Sequence, residues 1–394
     1  MSAFAVSRPR TLAVIGAGPI GLAAALGALQ RGLDVTVLEQ GDVGDALLRW
    51  GGVRMFSPLE MNVPAAARRI LQGAIPAGEA LLTGPELVRQ ILRPLASSPP
   101  LAGRVLARHR VLSVGRAGLT RDDLPGHPLR AERPFRLLAS TPDGDRVFEV
   151  DRVLDASGVY DQPSGAGCGG QPARGESAAA GRLIRHLGDL ELAREKLSGA
   201  NVLLVGQGHS AANALLTLTA MAREEPRTRI TWVARSPNRR PCAEVADDPL
   251  PERRRVVSHA NDLAADPPAF LKVERRASLE SIEPDRHRIR ATLTTGHAGT
   301  FDTIVALTGY RPDLGMLSEL PLEISPVTEG TAGLARTMIG ATDCLASPRL
   351  SIEDLRSGEP GFYLVGSKSY GRLNTFLLKT GLSHLETILE DLSR

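Results

Sequence analysis

Three cysteines, Cys168, Cys242 and Cys344, are all that this chain of 394 residues contains, and they stand far apart. None forms a CxxC pair, which excludes a disulfide framework and a zinc site and disfavours any relay of electrons through two neighbouring thiols. No metal site is expected. Lysine is scarce too: only four of the 47 basic residues are Lys, the net charge is +3, and aromatics make up 4%. With the arginines scattered and no aromatic-interleaved stripe, nucleic acid is excluded as a partner. Uninterrupted apolar stretches are also missing. The longest imitation of a membrane span, Leu12 to Leu29, carries glycines at its start and follows no basic segment, so neither a signal peptide nor an anchor is expected. The expected setting is cytoplasmic and reducing, with no membrane partner. Homodimer formation is left open.

Glycine, by contrast, is abundant, and two of its clusters are organised. Gly16-Ala17-Gly18-Pro19-Ile20-Gly21 follows the apolar run Thr11–Ile15, and Gly206-Gln207-Gly208-His209-Ser210-Ala211 follows the apolar run Asn201–Val205. A helical stretch of small residues follows each, from Gly21 to Gly32 and from Ala211 to Ala220. Strand, glycine turn and helix form the cradle in which pyrophosphate rests on free helix amides. The first glycine permits the turn and the second admits the phosphate. The third, or Ala211 in its place, lets helix pack on strand.

The end of the next strand tells the two cradles apart. The strand Val35–Leu38 ends at Glu39, with Gln40 next, and a carboxylate there accepts from a ribose diol. The matching strand Ile230–Val233 ends at Ala234 and then Arg235. A guanidinium binds a 2′-phosphate that a carboxylate would repel. The first site therefore suits FAD and the second NADPH. Arg239 and Arg240 read equally as solvated loop charge.

Between the cradles, Phe135–Ala139 and Arg146–Val150 read as paired strands around the turn 141–145. An apolar strand closes on Asp155-Ala156-Ser157-Gly158, and a similar segment recurs at Thr308-Gly309-Tyr310-Arg311-Pro312. With both cradles, this ordered set resembles the superfamily of two-dinucleotide flavoproteins that includes flavin-containing monooxygenases and thioredoxin reductases. The resemblance implies an α/β fold of two Rossmann-like dinucleotide-binding domains, the NADPH domain inserted into the FAD domain. The expected boundaries are 1–163 and 312–394 for FAD, and 164–311 for NADPH.

The same resemblance implies further site residues. The family closes a strand near its C-terminus on Gly-Asp, whose carboxylate bonds the flavin ribityl chain. Here Gly366 is followed by Ser367. Lys368 comes next, and a helix from Leu373 to Leu389 is expected to point its N-terminus at the flavin. Trp50 lies where the family's chain passes the flavin ring. Asn62 is similar in position to an asparagine that flavin monooxygenases keep near the reactive flavin carbon, and it also reads as a turn residue before Val-Pro. Asn62, His209 and Lys368 are the catalytic candidates. His186 is a weak counterpart of a family histidine, and the long segment 237–268 reads as a lid.

The activity implied is hydride transfer from NADPH to FAD, then transfer of one oxygen atom from a flavin hydroperoxide to a nitrogen or sulfur centre of a small molecule. Two alternatives stay open. One is a flavin reductase that delivers electrons to a disulfide, quinone or other acceptor, and the other a non-catalytic flavin-binding sensor.

Overall fold

The apolar run Thr11–Ile15, four of its five residues buried, is the central strand β1 of a parallel sheet in the computed structural model, which describes residues 10–73, 75–340, 345 and 350–393. Cys344 lies outside the described residues. On one side β1 pairs with β2 (Asp34–Leu38), Val14 opposite Val37, and β2 pairs with the short edge strand β3 (Val105–Leu106). An antiparallel meander of β4 (Arg110–Arg116), β5 (Phe135–Thr141) and β6 (Gly144–Val150) comes next. Then β7 (Arg152–Asp155) returns to the other side of β1. Burial of both faces of β1 and β7 is why these strands are continuously apolar rather than alternating.

The chain then builds a second unit on the same plan. Strands β8 (Leu183–Ile184), β9 (Asn201–Val205), β10 (Arg229–Ala234) and β11 (Leu271–Arg275) precede a meander of β12 (Leu279–Asp285), β13 (Arg288–Leu293) and β14 (Ala298–Phe301), after which comes β15 (Thr303–Ala306). Only afterwards does β16 (Phe362–Leu364) add to β7 and complete the first sheet. The two sheets run β16-β7-β1-β2-β3 and β8-β15-β9-β10-β11, matching in chain order over β7-β1-β2-β3 and β15-β9-β10-β11, while the outer place is held by the last strand in the first sheet and by the first strand in the second. The second sheet is thus inserted between two neighbouring strands of the first. Two antiparallel segments cross between the units: Ser164 N–H donates to Gly309 O at 2.9 Å and Arg311 N–H to Gln162 O at 2.8 Å.

Two expectations change. The helix expected from Leu373 runs Leu378–Leu392, because Gly371, at φ 63°, ends a separate short helix Ser367–Tyr370 and Arg372 N–H is drawn to Thr328 O. The segment 237–268 is not a free lid. It contains the helix Pro251–Ala265, and its preceding loop is pinned by the buried pair Asp248–Arg253 and by Asn261, which bonds both backbone groups of Cys242.

A buried carboxylate ties the meander to the returning chain. Glu359 accepts from Arg116 Nε at 2.7 Å and from Arg130 Nε at 2.8 Å, all three side chains being at most 2% exposed. Removing the charge leaves two buried guanidinium groups without a counter-ion, so Glu359→Gln is expected to lower unfolding free energy by about 3–5 kcal/mol, read by urea denaturation.

Candidate functional site

Both cradles have the strand-turn-helix geometry, and both present bare helix ends. The helices Pro19–Leu29 and His209–Glu224 start at Gly18 and Gly208 with no side-chain cap and no acid in the first turn. The N–H groups of their first turns therefore have no side-chain acceptor, an arrangement that suits an anion. Gly16 and Gly206 sit at φ 100° and 130°, backbone that favours glycine. A Cβ on Gly16 would lie 2.8 Å from Ala156 O, and one on Gly206 would overlap Leu307 O. At Gly18 and Gly208 nothing stands within 4 Å of where a Cβ would be, leaving the space through which phosphate reaches backbone.

The third positions differ in their surroundings. A Cβ on Gly21 would overlap Gly16 O. In the second turn the matching Gly206 O accepts from the buried Trp232 indole N–H at 2.7 Å, and Ala211 packs fully buried beneath it. Trp232 was not a candidate from sequence; its place on β10 puts an indole N–H under this turn.

Between the units lies a cavity of about 740 Å³. Of the candidates, Gly16, Gly18, Glu39, Gln40, Trp50, Ser157, Gly158, His209, Ser210, Gly366, Ser367 and Lys368 line it. Gly21, Gly206, Gly208 and Ala211 belong to the turns and do not line it. Glu39 holds Ala17 N–H at 2.7 Å and Gly41 N–H at 2.9 Å. Burial pushes its pKa up, against the pull of those two amides. In the second unit the arrangement is reversed: Gln207 in the turn reaches out, its Oε1 accepting from Ser236 N–H at 2.8 Å, where β10 ends without an acid.

His209 is the first residue of its helix and sits edge-on to Phe56 of the other unit, ring centres 5.2 Å apart. Burial depresses its pKa, with Arg253 adding to the effect, so the imidazole is neutral at pH 7. Gln40 and Arg49 both bond Asp161, at 2.6 Å each. Lys368, fully buried, pairs with Asp155 at 2.7 Å and donates to Ser157 Oγ at 3.0 Å.

Asn62 is not brought to the cavity. Its Oδ1 accepts from Ser57 Oγ at 2.8 Å and its Nδ2 donates to Ser57 O at 2.9 Å, so both ends of the amide are spent holding the loop whose residues Met55, Phe56 and Ser57 do line the cavity. The side chain supports the wall instead of facing a ligand. Arg235 also lies outside the cavity, exposed beyond β10.

Trp50, His186 and Tyr310 were recognisable singly in the sequence, but Tyr160 and the wall of rings they form together were not. Tyr160 and Tyr310, from the two crossing segments, lie 5.1 Å apart, and His186 sits 4.5 Å from Tyr160 and 5.7 Å from Tyr310, nearly parallel to the latter. Trp50 approaches Tyr160 from the first unit at 6.5 Å. A signal existed: two of the four tyrosines fall just after the recurring Ser-Gly and Thr-Gly turns.

Comparisons agree with the fold. Residues 11–121 match the model of the FAD dependent oxidoreductase family. Comparison of the sequence with curated proteins returns no match. Similar solved structures include bacillithiol disulfide reductase from Bacillus cereus (TM-score 0.68, 19% identity, 98% of this chain and 99% of that one) and a cadaverine monooxygenase of desferrioxamine biosynthesis from Erwinia amylovora (0.66, 13%, 98% and 95%). Thioredoxin reductase from T. acidophilum is a third (0.59, 15%, 97% and 99%). The chain has the fold of the two-dinucleotide flavoproteins, as its motifs lead one to expect. Among the described residues no helix is long and apolar enough to cross a membrane.

The cradle geometry separates two glycines by consequence. Gly18→Ala is expected to melt within a few degrees of the parent, whereas Gly21→Ala, which drives a methyl into Gly16 O, is expected to lose about 1–3 kcal/mol, the usual cost of overpacking, by urea titration.

Proposed function

We propose that this chain is a FAD- and NADPH-dependent monooxygenase acting on a nitrogen or sulfur centre of a small molecule. The observation that carries the reading is that one cavity is lined from both cradles: Gly16, Gly18 and Glu39 on one side, His209 and Ser210 on the other. When bound, NADPH supplies hydride to FAD, and reduced FAD supplies electrons to oxygen.

The residues present fit both groups. Bare amides after Gly18 and Gly208 take the pyrophosphates, and Glu39 takes the FAD ribose. Residues 1–163 and 312–394 are assigned to FAD, and 164–311 to NADPH. For the NADPH phosphate the choice narrows to Arg235. Arg239 is bonded to Ala265 O, and Arg240 is paired with Glu244 and Asp262, whereas Arg235 is exposed and has no ion pair among the described residues. Neutral His209 against Phe56 closes the seam and holds no charge there. The rings of Trp50, Tyr160 and Tyr310 keep the adjoining wall apolar, which excludes water from the reacting atoms.

The likeness to both monooxygenases and reductases leaves the electron acceptor as the point to decide. Delivery to a disulfide by exchange needs a nucleophilic thiol at the flavin. Cys168 does not line the cavity, and Cys242 is buried in the second unit with its thiol pushed up to about 12 by desolvation. Cys344 lies outside the described residues; the positions of the other two favour oxygen over a disulfide.

The yellow protein, mixed with NADPH without air, is expected to bleach on a catalytic timescale; a sensor would not. Oxygen is then expected to yield hydroxylated amine or oxidised sulfur rather than stoichiometric hydrogen peroxide in the presence of a substrate. Steady bleaching followed by peroxide alone, across an amine and thioether panel, overturns the monooxygenase reading. Arg235→Ala is expected to raise KM for NADPH by about one to two orders of magnitude, matching roughly 1.5–3 kcal/mol for a charged hydrogen bond, with NADH use nearly unchanged. Equal losses with both coenzymes refute the assignment.

A further inference from the structure

Lys368 and Asp155 form a fully buried ion pair, each side chain 0% exposed, with Nζ 2.7 Å from Oδ2. Burying two charges is expensive, and replacing such a pair by apolar residues is often neutral or stabilising, so its presence beside a ligand cavity calls for a role other than stability. The pair has a direction. Asp155 ends β7 and does not line the cavity; Lys368 is the second residue of the short helix after β16 and does. Lys368 is therefore the member of the pair in the cavity wall, its ammonium reaching the cavity through Ser157, and Asp155 is the member in the sheet.

The pair also fixes Ser157. Its hydroxyl donates to Asp155 Oδ1 at 2.6 Å and accepts from Lys368 Nζ at 3.0 Å, and its N–H donates to the same Oδ1 at 3.0 Å. The hydroxyl proton is thus committed inward, and what Ser157, itself exposed at the cavity, still offers a ligand is a lone pair. Ser367 faces Gly158 across the same corner, its Oγ 3.6 Å from where a Gly158 Cβ would be. With serine at 367, the carboxylate that pairs with the ammonium is Asp155, on its sheet side.

We propose that Lys368, held by Asp155, is a positioning residue that orients Ser157 and sets a positive potential under the FAD site, making bound FAD easier to reduce. The inference rests on the flavin reading above. Two-electron reduction adds negative charge to the cofactor, and a buried cation in a low-dielectric wall favours the more negative state. Lys368 acts through the field and through Ser157, since its own ammonium is closed to solvent.

The test compares the holoprotein with Lys368→Met and with the neutral double variant Asp155→Asn/Lys368→Met, which leaves no charge buried alone. The single variant is expected to be less stable and the double variant to fold and to bind FAD within about threefold of the parent by fluorescence titration. In the double variant the midpoint potential of the bound flavin, titrated against a reference dye, is expected to fall by at least a tenfold shift in the redox equilibrium, about 30 mV for a two-electron couple. A double variant that binds FAD with an unchanged midpoint overturns the proposal and leaves the pair a structural element. Parent protein that takes up no FAD overturns the flavin reading itself, and this inference with it.

Discussion

The close approach of two backbone segments at the carboxyl edge of each sheet is the constraint on which the rest of the molecule depends. In the first unit the turn after β1 presses against Ala156 O, just beyond β7; in the second the turn after β9 presses against Leu307 O, just beyond β15. A side chain at Gly16 or Gly206 would hold these segments apart. Because they touch, the turns are forced into left-handed backbone, the helices start without caps, and the loops that carry Ser157 and Tyr310 are delivered to the same cavity. One steric requirement thus sets the anion sites and the placement of the seam together.

From that common frame the two units diverge by small exchanges whose causes are local. Where β2 ends in Glu39, the acid reaches back to the turn amide of Ala17; where β10 ends in Ala234, Gln207 of the turn reaches forward to the amide of Ser236. In each unit one side chain links strand end to turn, but the first, which also holds Gly41 N–H, leaves a buried carboxylate at the cavity and the second leaves a neutral amide with Arg235 exposed nearby. Loss of the acid and gain of a cation are one change in electrostatics: a carboxylate retained beside Arg235 would pair with it and remove the charge a phosphate needs.

Much of this was legible in the sequence, because the signals were local. Strands β1 and β9, the turns after them, the meander strands β5 and β6 and the ends of β2 and β10 are set by apolar runs, glycine spacing and one residue each, and they lie where the spacing puts them. Partners distant in the chain were not legible. Asn62 looks like a site residue by position, yet the five-residue loop back to Ser57 consumes its amide. The Glu359 network joins side chains 229 and 243 positions apart. Lys368 was a candidate by position, but its counter-ion 213 residues earlier could not be read, because Asp155 replaces nothing recognisable within its own apolar strand. The helix starting at Leu378 instead of Leu373 reflects a tertiary bond to Thr328 O that no local propensity encodes.

The ring wall determines what kind of chemistry the protein itself supplies. Tyr160 donates its hydroxyl to Arg49 O at 3.0 Å and Tyr310 donates to Arg185 O at 3.3 Å, so both polar tips are turned to backbone and the ring bodies are left to the cavity. Burial pushes the Tyr160 hydroxyl up to about 12 and the Tyr310 hydroxyl higher still, so neither ionises at neutral pH. His186 and His209 are both held neutral by desolvation. A wall of protonated phenols and uncharged imidazoles supplies neither fixed charge nor a strong base to compete for protons at the reacting centre. Charges line the cavity elsewhere: Glu39 holds two backbone amides, Asp45 and Asp161 pair with Arg49, Arg54 donates to Leu81 O, Asp313 accepts from Gly315 N–H, and Arg110 and Lys368 complete the set. The contribution of these rings is therefore dryness and alignment, and under the proposed function the bond-making capacity would belong to the cofactors.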